Sequence, residues 1–289
     1  MRKKTKKFNK ECTAIIGDKY PNGRFLQCLT PDGMIYKVDG INDDFIVDNF
    51  DNGPFLSGQT KLVFSDKPIV KKFTGTIVST SLPTLQESTS NRVAGMQVSA
   101  SNRVAGRSTT NTRTVLVVRV IAKDRSTSFS EAALSDKVFG MNGDSVNLKS
   151  IYASCSHNAL NFEPAKRSGI TNGVVTVSVK KIKTKKGDTK MNNAITSELN
   201  RMFGVSSPSQ LADHVMYCLP PNTMKGIAYA YINNWLSVYN DDWCTYPSSG
   251  VHELGHNLGL LHSGKGNDVY GDTSAMVSQS TSCHHISTI

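Results

Sequence analysis

The sequence predicts an α/β (α+β) fold built on a mixed, twisted sheet, preceded by a small region made mostly of β-strands. Three observations lead to this prediction. From residue 112 onward, runs with strand character alternate with runs at helical spacing. Residues 11 to about 80 hold short apolar runs separated by turn sequences. A polar stretch with an internal repeat lies between the two regions.

The N-terminal region, residues 1–78, is predicted to be β-rich. Turn sequences at 20–23, 30–33 and 51–54 separate its short apolar runs. Residues 1–10 contain six Lys or Arg and no acid, and no apolar segment follows, so no signal peptide can be recognised. We expect the natural N-terminus to lie further upstream.

Residues 79–111 differ in composition from both neighbours. They are rich in Ser, Thr, Asn and Arg, and the hexapeptide Ser-Asn-Arg-Val-Ala-Gly at 90–95 is repeated at 101–106. A polar repeat without aromatic residues cannot bury enough surface to order itself. We therefore predict a linker here, followed by a second domain at residues 112–289.

The second domain is predicted to begin with a central strand, because 115–121 is a β-branched run long enough to be covered on both faces. A lysine-rich segment at 180–190 is expected to be an exposed, solvated loop. The remaining elements predicted before residue 247 are helices at 128–139 and 193–203, the second ended by Gly204, and strands at 159–162, 174–179 and 215–217.

Residues 247–262 contain the strongest pattern in the chain. Pro247 marks a helix start, and His252 and His256 are four residues apart, so both imidazoles project from one face of that helix. Gly259 adopts a left-handed backbone without penalty and is predicted to end the helix, which lets the chain return His262 to the same place. An apolar stripe explains the neighbouring leucines as core residues, but it does not explain these histidines.

Three neutral imidazole nitrogens suit a tetrahedral zinc ion with one open position, which is the arrangement of a catalytic site. The predicted ligands of one zinc ion are therefore His252, His256 and His262. Glu253 lies beside the first ligand and can reach a water molecule on the metal, so we predict that it is the general base.

This pattern resembles that of the metzincin zinc endopeptidases. Ser274 and Met276, which follow the third histidine, are similar to the tight turn whose methionine lies beneath the zinc in that class. The segments 135–140, 146–150, 213–221 and 228–233 resemble the gametolysin branch, the cell-wall-lysing peptidases of algae and their relatives. The resemblance covers roughly residues 112 to 276.

The resemblance implies a secreted endopeptidase that is made as a zymogen and hydrolyses extracellular or cell-wall proteins, including glycoproteins. It makes the linker a pro-segment boundary with Arg107 or Arg113 as processing points, and a plain spacer is the alternative. The strand that contains Ala228, Tyr229, Ala230 and Tyr231 is a candidate edge along which an extended peptide pairs; an ordinary sheet strand is the alternative.

Six cysteines without a CxxC pair suit a secreted enzyme with two or three disulfides, and a reduced cytosolic form is the alternative. Either Cys12 or Cys28 could cap the zinc as a thiolate in a latent form. Disulfides Cys12–Cys28 and Cys218–Cys244 are equally compatible with the sequence.

The net charge of +10 comes mainly from residues 1–10 and 180–186. Two local clusters do not form a basic face interleaved with aromatic residues, so nucleic-acid binding is not expected. No apolar run is long enough to span a bilayer.

One departure from the family pattern follows Met276, where the sequence is Val-Ser-Gln-Ser and the chain ends at Ile289. We expect the natural chain to continue, because in metzincins a C-terminal helix closes the lower part of the domain. The alternative function is a zinc-binding pseudoprotease or binding module, inactive because this part is missing.

Overall fold

One continuous β-sheet connects the N-terminal strands with those of the second domain. The computed structural model describes residues 6–19, 23–71, 75–87 and 111–262, and the structural statements below refer to these residues. They form a mixed sheet with helices packed on both faces. The mixed α/β architecture predicted from the sequence is confirmed.

The N-terminal unit, residues 6–87, is built around its longest strand, β2, which pairs antiparallel with β3 on one edge and with β5 on the other. A disulfide between Cys12 and Cys28 joins β2 to β3 inside the apolar core of this unit. In chain order the elements are β1 (Lys6–Lys7), β2 (Glu11–Lys19), β3 (Gly23–Leu29), β4 (Ile35–Val38), α1 (Asp43–Ile46), β5 (Thr60–Val63), β6 (Ile69–Lys71), β7 (Thr76–Val78) and β8 (Thr84–Glu87).

The polar segment predicted as a linker at 79–111 begins later than the sequence suggested. Strand β8 pairs antiparallel with β5, and Leu85 packs half-buried against the core of the N-terminal unit. Residues 88–110, with the repeat and Arg107, lie outside the described residues. Arg113 pairs with Phe162 in the sheet, so its backbone is held in a strand and is a poor processing point, contrary to the expectation.

The second domain contains six strands and four helices among the described residues. They are β9 (Asn111–Ala122), α2 (Glu131–Phe139), α3 (Leu148–Cys155), β10 (Leu160–Pro164), β11 (Val174–Val179), α4 (Asp188–Phe203), β12 (His214–Leu219), β13 (Ala228–Tyr231), β14 (Leu236–Asn240) and α5 (Pro247–Asn257).

Strand β9 is the centre of this part of the sheet, as the β-branched run predicts. Its side chains alternate between two core clusters: Leu116 and Val118 contact the layer of α4, whereas Val115 and Val117 contact the layer of α2, α3 and α5. Strands β10, β11, β12 and β14 continue the sheet in parallel. Among the described strands of the second domain, β13 alone runs antiparallel to its neighbour, β14. It is the last of these described strands on this side of the sheet, because its other edge pairs with β2.

Two helices differ from the sequence-based expectation. Helix α4 starts at Asp188 rather than 193, because Gly187 precedes it and the Asp188 carboxylate lies in the first turn, where the helix dipole favours negative charge. Part of the predicted lysine-rich loop is therefore helical. Helix α3 was not predicted; its start is fixed by a capping box in which Asn147 and Ser150 exchange side-chain and backbone hydrogen bonds.

Among the helices in the described part of the chain, none combines the length and the apolar character that crossing a bilayer requires.

Candidate metal centre

Helix α5 is held by its apolar face against the α2 and α3 layer. Val251 and Leu254 are buried there, and the hydroxyl of Tyr152 in α3 donates a hydrogen bond of 2.8 Å to the carbonyl of Val251. Gly250 permits close contact between the helices, since a Cβ at this position would lie 2.6 Å from Cδ1 of Leu148. The opposite face of α5 carries the histidines.

The chain reverses direction at Gly259, as predicted. Its φ is +93°, and an added Cβ would contact nothing, so the left-handed backbone alone explains the glycine. The amide of Leu260 donates to the carbonyl of Gly255 and that of Gly259 to the carbonyl of His256, both at 2.9 Å, which is a Schellman motif. This turn returns His262 to the face of α5 that carries the other two histidines.

The three Nε2 atoms converge on one point. That of His262 lies 3.2 Å from the Nε2 of His256 and 3.3 Å from the Nε2 of His252. Nitrogen ligands of a tetrahedral zinc ion, at 2.0–2.1 Å from the metal, lie about 3.3 Å from one another. Two of the three nitrogen–nitrogen distances match this spacing, and all three ligand atoms lie within 4.8 Å of one another, so the donor set fits one such ion.

The environment favours the neutral imidazoles that metal binding requires. Burial lowers the pKa of His256 to about 4, and burial together with the neighbouring His252 and Arg24 lowers that of His262 to about 4. Nδ1 of His256 lies 2.9 Å from the carbonyl oxygen of Leu260. If Nδ1 carries the proton and donates to this carbonyl, the lone pair of Nε2 is directed at the metal position.

Glu253 is buried on α5 beside these histidines. Burial, and then the charge of Asp18, raises its pKa well above the usual value. Its Oε2 has no hydrogen-bond partner among the described residues. A buried carboxyl group with a spare oxygen next to three converging imidazoles is suited to exchanging a proton with a group in the site.

The sequence model of one protein family, described as gametolysin peptidase M11, matches residues 114–289, more than half of the chain. The chain belongs to the gametolysin peptidase family. The match includes all four residues of the site and begins after the N-terminal unit. A search of curated proteins and a search of solved structures returned no match.

In this gametolysin-family chain, some of the sequence-predicted site residues lie in the described part of the structure and others do not. The structure brings the three histidines together, with Glu253 buried on the same helix, and it places Ala228, Tyr229, Ala230 and Tyr231 in β13, next to α5. Ser274 and Met276 lie outside the described residues.

Sequence reasoning missed Asn257, the last residue of α5. Its side-chain amide is buried and donates to the carbonyls of Tyr231 in β13 and Leu236 in β14, each at 3.0 Å. Helix α5, which carries two of the candidate metal ligands, is thereby fixed to β13 and β14 of the gametolysin-family domain. The available signal was a polar residue directly after His256, within an otherwise apolar surface.

The cysteines do not cap the metal site. Cys12 and Cys28 are bonded to each other, so neither offers the thiolate that a cap requires, and that expectation is corrected. A second disulfide joins Cys218 in β12 to Cys244 in the turn that precedes α5, and thus helps to fix the start of α5.

Proposed function

We propose that this protein is a zinc-dependent endopeptidase that cleaves extracellular or cell-wall proteins and is made as a zymogen. The observation that carries the proposal is the convergence of three imidazole nitrogens at 3.2 and 3.3 Å beside a buried glutamate, in a chain of a peptidase family. His252, His256 and His262 would hold the metal.

When bound, zinc supplies a Lewis acid for the scissile carbonyl and lowers the pKa of its water toward neutrality. Glu253 would accept a proton from the attacking water and pass it to the leaving amine. Its unpartnered Oε2 supports this role, since that oxygen is not engaged in a structural hydrogen bond among the described residues. Strand β13 orients an extended peptide by backbone hydrogen bonds.

The two disulfides support an extracellular location. Disulfides persist in oxidising compartments and are rare in the cytosol, and both Cys12–Cys28 and Cys218–Cys244 are formed. A secreted peptidase of this family has cell-wall glycoproteins and other extracellular proteins as its substrate class.

The test compares the wild-type chain with Glu253→Gln, which keeps the shape of the side chain and removes its basicity. Each zinc-loaded protein is treated briefly with trypsin, because Arg107 is a predicted processing point, and fluorescent casein hydrolysis is measured after trypsin is blocked. We expect hydrolysis that a chelator abolishes, and a loss of about a hundredfold or more in Glu253→Gln with zinc still bound.

Glu163→Gln is the control, because the Glu163 side chain is 41% exposed, forms an ion pair with Lys149 at 2.8 Å and belongs to β10, at the end of the sheet opposite β13. It should hydrolyse casein like the wild type. If wild type and Glu253→Gln are equally inert while both bind zinc, the chain is a zinc-binding module without peptidase activity.

A further inference from the structure

The outer edge of β13, where a peptide substrate would pair, is covered by β2 of the N-terminal unit. The two strands are antiparallel, with Asp18 opposite Ala230 and Gly17 opposite Tyr231. The amide of Ile232 donates to the carbonyl of Ile16 at 2.9 Å. One edge of β2 is therefore divided between β5, which pairs with its first half, and β13, which pairs with its last residues.

A short loop of the N-terminal unit strengthens this pairing. The hydroxyl of Ser57 accepts from the amide of Ile16 at 2.9 Å and donates to the carbonyl of Ile232 at 2.8 Å, so it bridges the two strands. Next to Ser57, Gly58 lies so close to the loop after β13 that a Cβ at this position would be 2.5 Å from the carbonyl oxygen of Asn233. The backbone amide of Asn233 donates in turn to the backbone carbonyl of His256 at 2.9 Å.

Side chains extend the contact along both strands. The ring of Phe25 packs edge-on against Tyr229 and Tyr231, with ring centroids 5.5 and 5.9 Å apart. The hydroxyl of Tyr231 lies 2.5 Å from Oε1 of Gln27. Ile15 of β2 belongs to the main core cluster of the second domain. These contacts combine packed aromatic and aliphatic side chains with one buried hydrogen bond, as in a stable interface.

The covering strand also brings a carboxylate to the metal centre. Asp18 is 9% exposed, its Oδ2 lies 3.5 Å from Nδ1 of His262, and its charge acts on Glu253. A substrate strand that paired with Ala230 would have to displace this residue.

Nothing that the structure describes makes the cover permanent. The family match begins at residue 114, after the N-terminal unit, and the unit is joined to the second domain through the polar segment 88–110. The disulfides Cys12–Cys28 and Cys218–Cys244 each lie within one unit and do not link the two.

We propose that the N-terminal unit, residues 6–87, is a built-in inhibitor that occupies the peptide edge of β13 with its own strand β2 and places Asp18 at the metal centre. The inference rests on the proposed peptidase function and specifies how that site is regulated. The full-length chain is closed to extended peptides, and separation of β2 from β13 opens it.

The test uses two glycine variants of the full, zinc-loaded chain without trypsin treatment. Gly58→Ala introduces the clash with Asn233, whereas Gly23→Ala places alanine at nearly the same φ, +75° against +78°, with no atom within 4 Å of the new Cβ. The two variants share the backbone strain and differ in the contact between the units. Casein hydrolysis and amide hydrogen exchange at Ile232 are measured for both.

We expect Gly58→Ala to raise basal hydrolysis about tenfold and to speed exchange at Ile232, and Gly23→Ala to change neither. Ser57→Ala should act in the same direction as Gly58→Ala, with Ser65→Ala as its control, because Ser65 contacts only Ser81 at the surface. This second pair keeps the test decisive if Gly58→Ala does not fold.

Faster exchange at Ile232 without a rise in hydrolysis, in a variant that trypsin can still activate, would contradict the proposal that the N-terminal unit inhibits the site. Fast exchange at Ile232 in the wild type would overturn the cover itself. If no form hydrolyses casein even after trypsin, the peptidase proposal fails, and the inhibitor, which rests on it, fails with it. The exchange measurement then still reports whether β2 covers β13.

Discussion

The Asp18 carboxylate lies 3.5 Å from Nδ1 of His262, and both side chains are less than a tenth exposed. A residue from the N-terminal strand β2 thus contacts the histidine that only the turn at Gly259 brings to the site. Imidazoles that bind metals usually interact through their other nitrogen with a carboxylate or carbonyl, which fixes the ring orientation. For His256 this partner is the carbonyl of Leu260, and for His262 the Asp18 carboxylate lies in the corresponding position.

Asp18→Asn should weaken zinc binding by the full-length chain about tenfold, because it removes the negative charge beside His262 and leaves the shape almost unchanged. The dissociation constant is measured by competition with a chromophoric chelator. Asp39→Asn is the control, since Asp39 is exposed and contacts Lys71 at 3.6 Å. Equal zinc affinity in wild type and Asp18→Asn would show that the contact does not affect the metal.

Gly259→Ala should lower both zinc affinity and stability. At φ +93° the backbone of an alanine is strained by about 1–2 kcal/mol. The new Cβ has no atom within 4 Å, so it gains no packing contact that could offset this strain. Relief of the strain would move His262 away from the other two ligands. Zinc titration and thermal unfolding with and without zinc check the prediction.

The matched control for that variant is Gly143→Ala, at φ +104° and likewise without atoms near a new Cβ, but in the loop after α2. It should lower stability by a similar amount and leave zinc affinity unchanged. A loss of affinity in both variants would point to global destabilisation instead of a local effect on His262.

Asn257→Ala should destabilise the fold by about 2–4 kcal/mol, because it removes two buried hydrogen bonds from α5 to β13 and β14. Urea unfolding provides the measurement. Asn161→Ala is the control: its side chain makes one hydrogen bond of 3.1 Å, to Asn158 at the surface. A cost below about 1 kcal/mol for Asn257→Ala would mean that α5 is held by its apolar face alone.

Protonation of the buried His214 should make the protein less stable in mild acid. Burial is the main cause that lowers its pKa to about 4; the charge of Asp213 raises the pKa, and that of Arg113 lowers it further. Because the unfolded chain binds the proton at a higher pH than the folded chain, stability is full above about pH 6.5 and falls as the pH drops toward 4. The loss from this group is about 3 kcal/mol.

His214→Leu should remove that part of the pH dependence, and urea unfolding at pH 7 and pH 4.5 compares it with the wild type. Neither ring nitrogen has a hydrogen-bond partner among the described residues, so an apolar replacement loses no bond there. The exposed His157, at φ +51°, is changed to Asn as a control, because Asn tolerates that backbone. An unchanged acid response in His214→Leu would assign the loss to other groups.

The sequence was sufficient to predict that the three histidines converge, because the determinants of this geometry are local. The spacing of His252 and His256 defines one helix face, and Gly259 can take the backbone conformation that returns His262. The β-branched run at 115–121 likewise predicts a doubly covered strand, and β9 is one.

The contact between β2 and β13 could not be predicted in the same way. Gly17 and Tyr231 are more than 200 positions apart in the sequence, and strand pairing leaves no periodic pattern that identifies the partner. Asp18 lies in a strand with no chemical motif around it, so its place beside His262 depends on tertiary structure alone. Helix α3 was missed because its eight residues make only about two turns, too few for helical spacing to stand out in the sequence.

The division of one edge of β2 between β5 and β13 has a consequence for the separated units. If the N-terminal unit detaches, each product carries a stretch of backbone amides and carbonyls without partners, one along residues 16–18 and one along β13. Because the two strand edges are complementary, the separated units will associate again to an extent that depends on their concentration. Dilution, as well as cutting of the chain, therefore sets how much enzyme stays open.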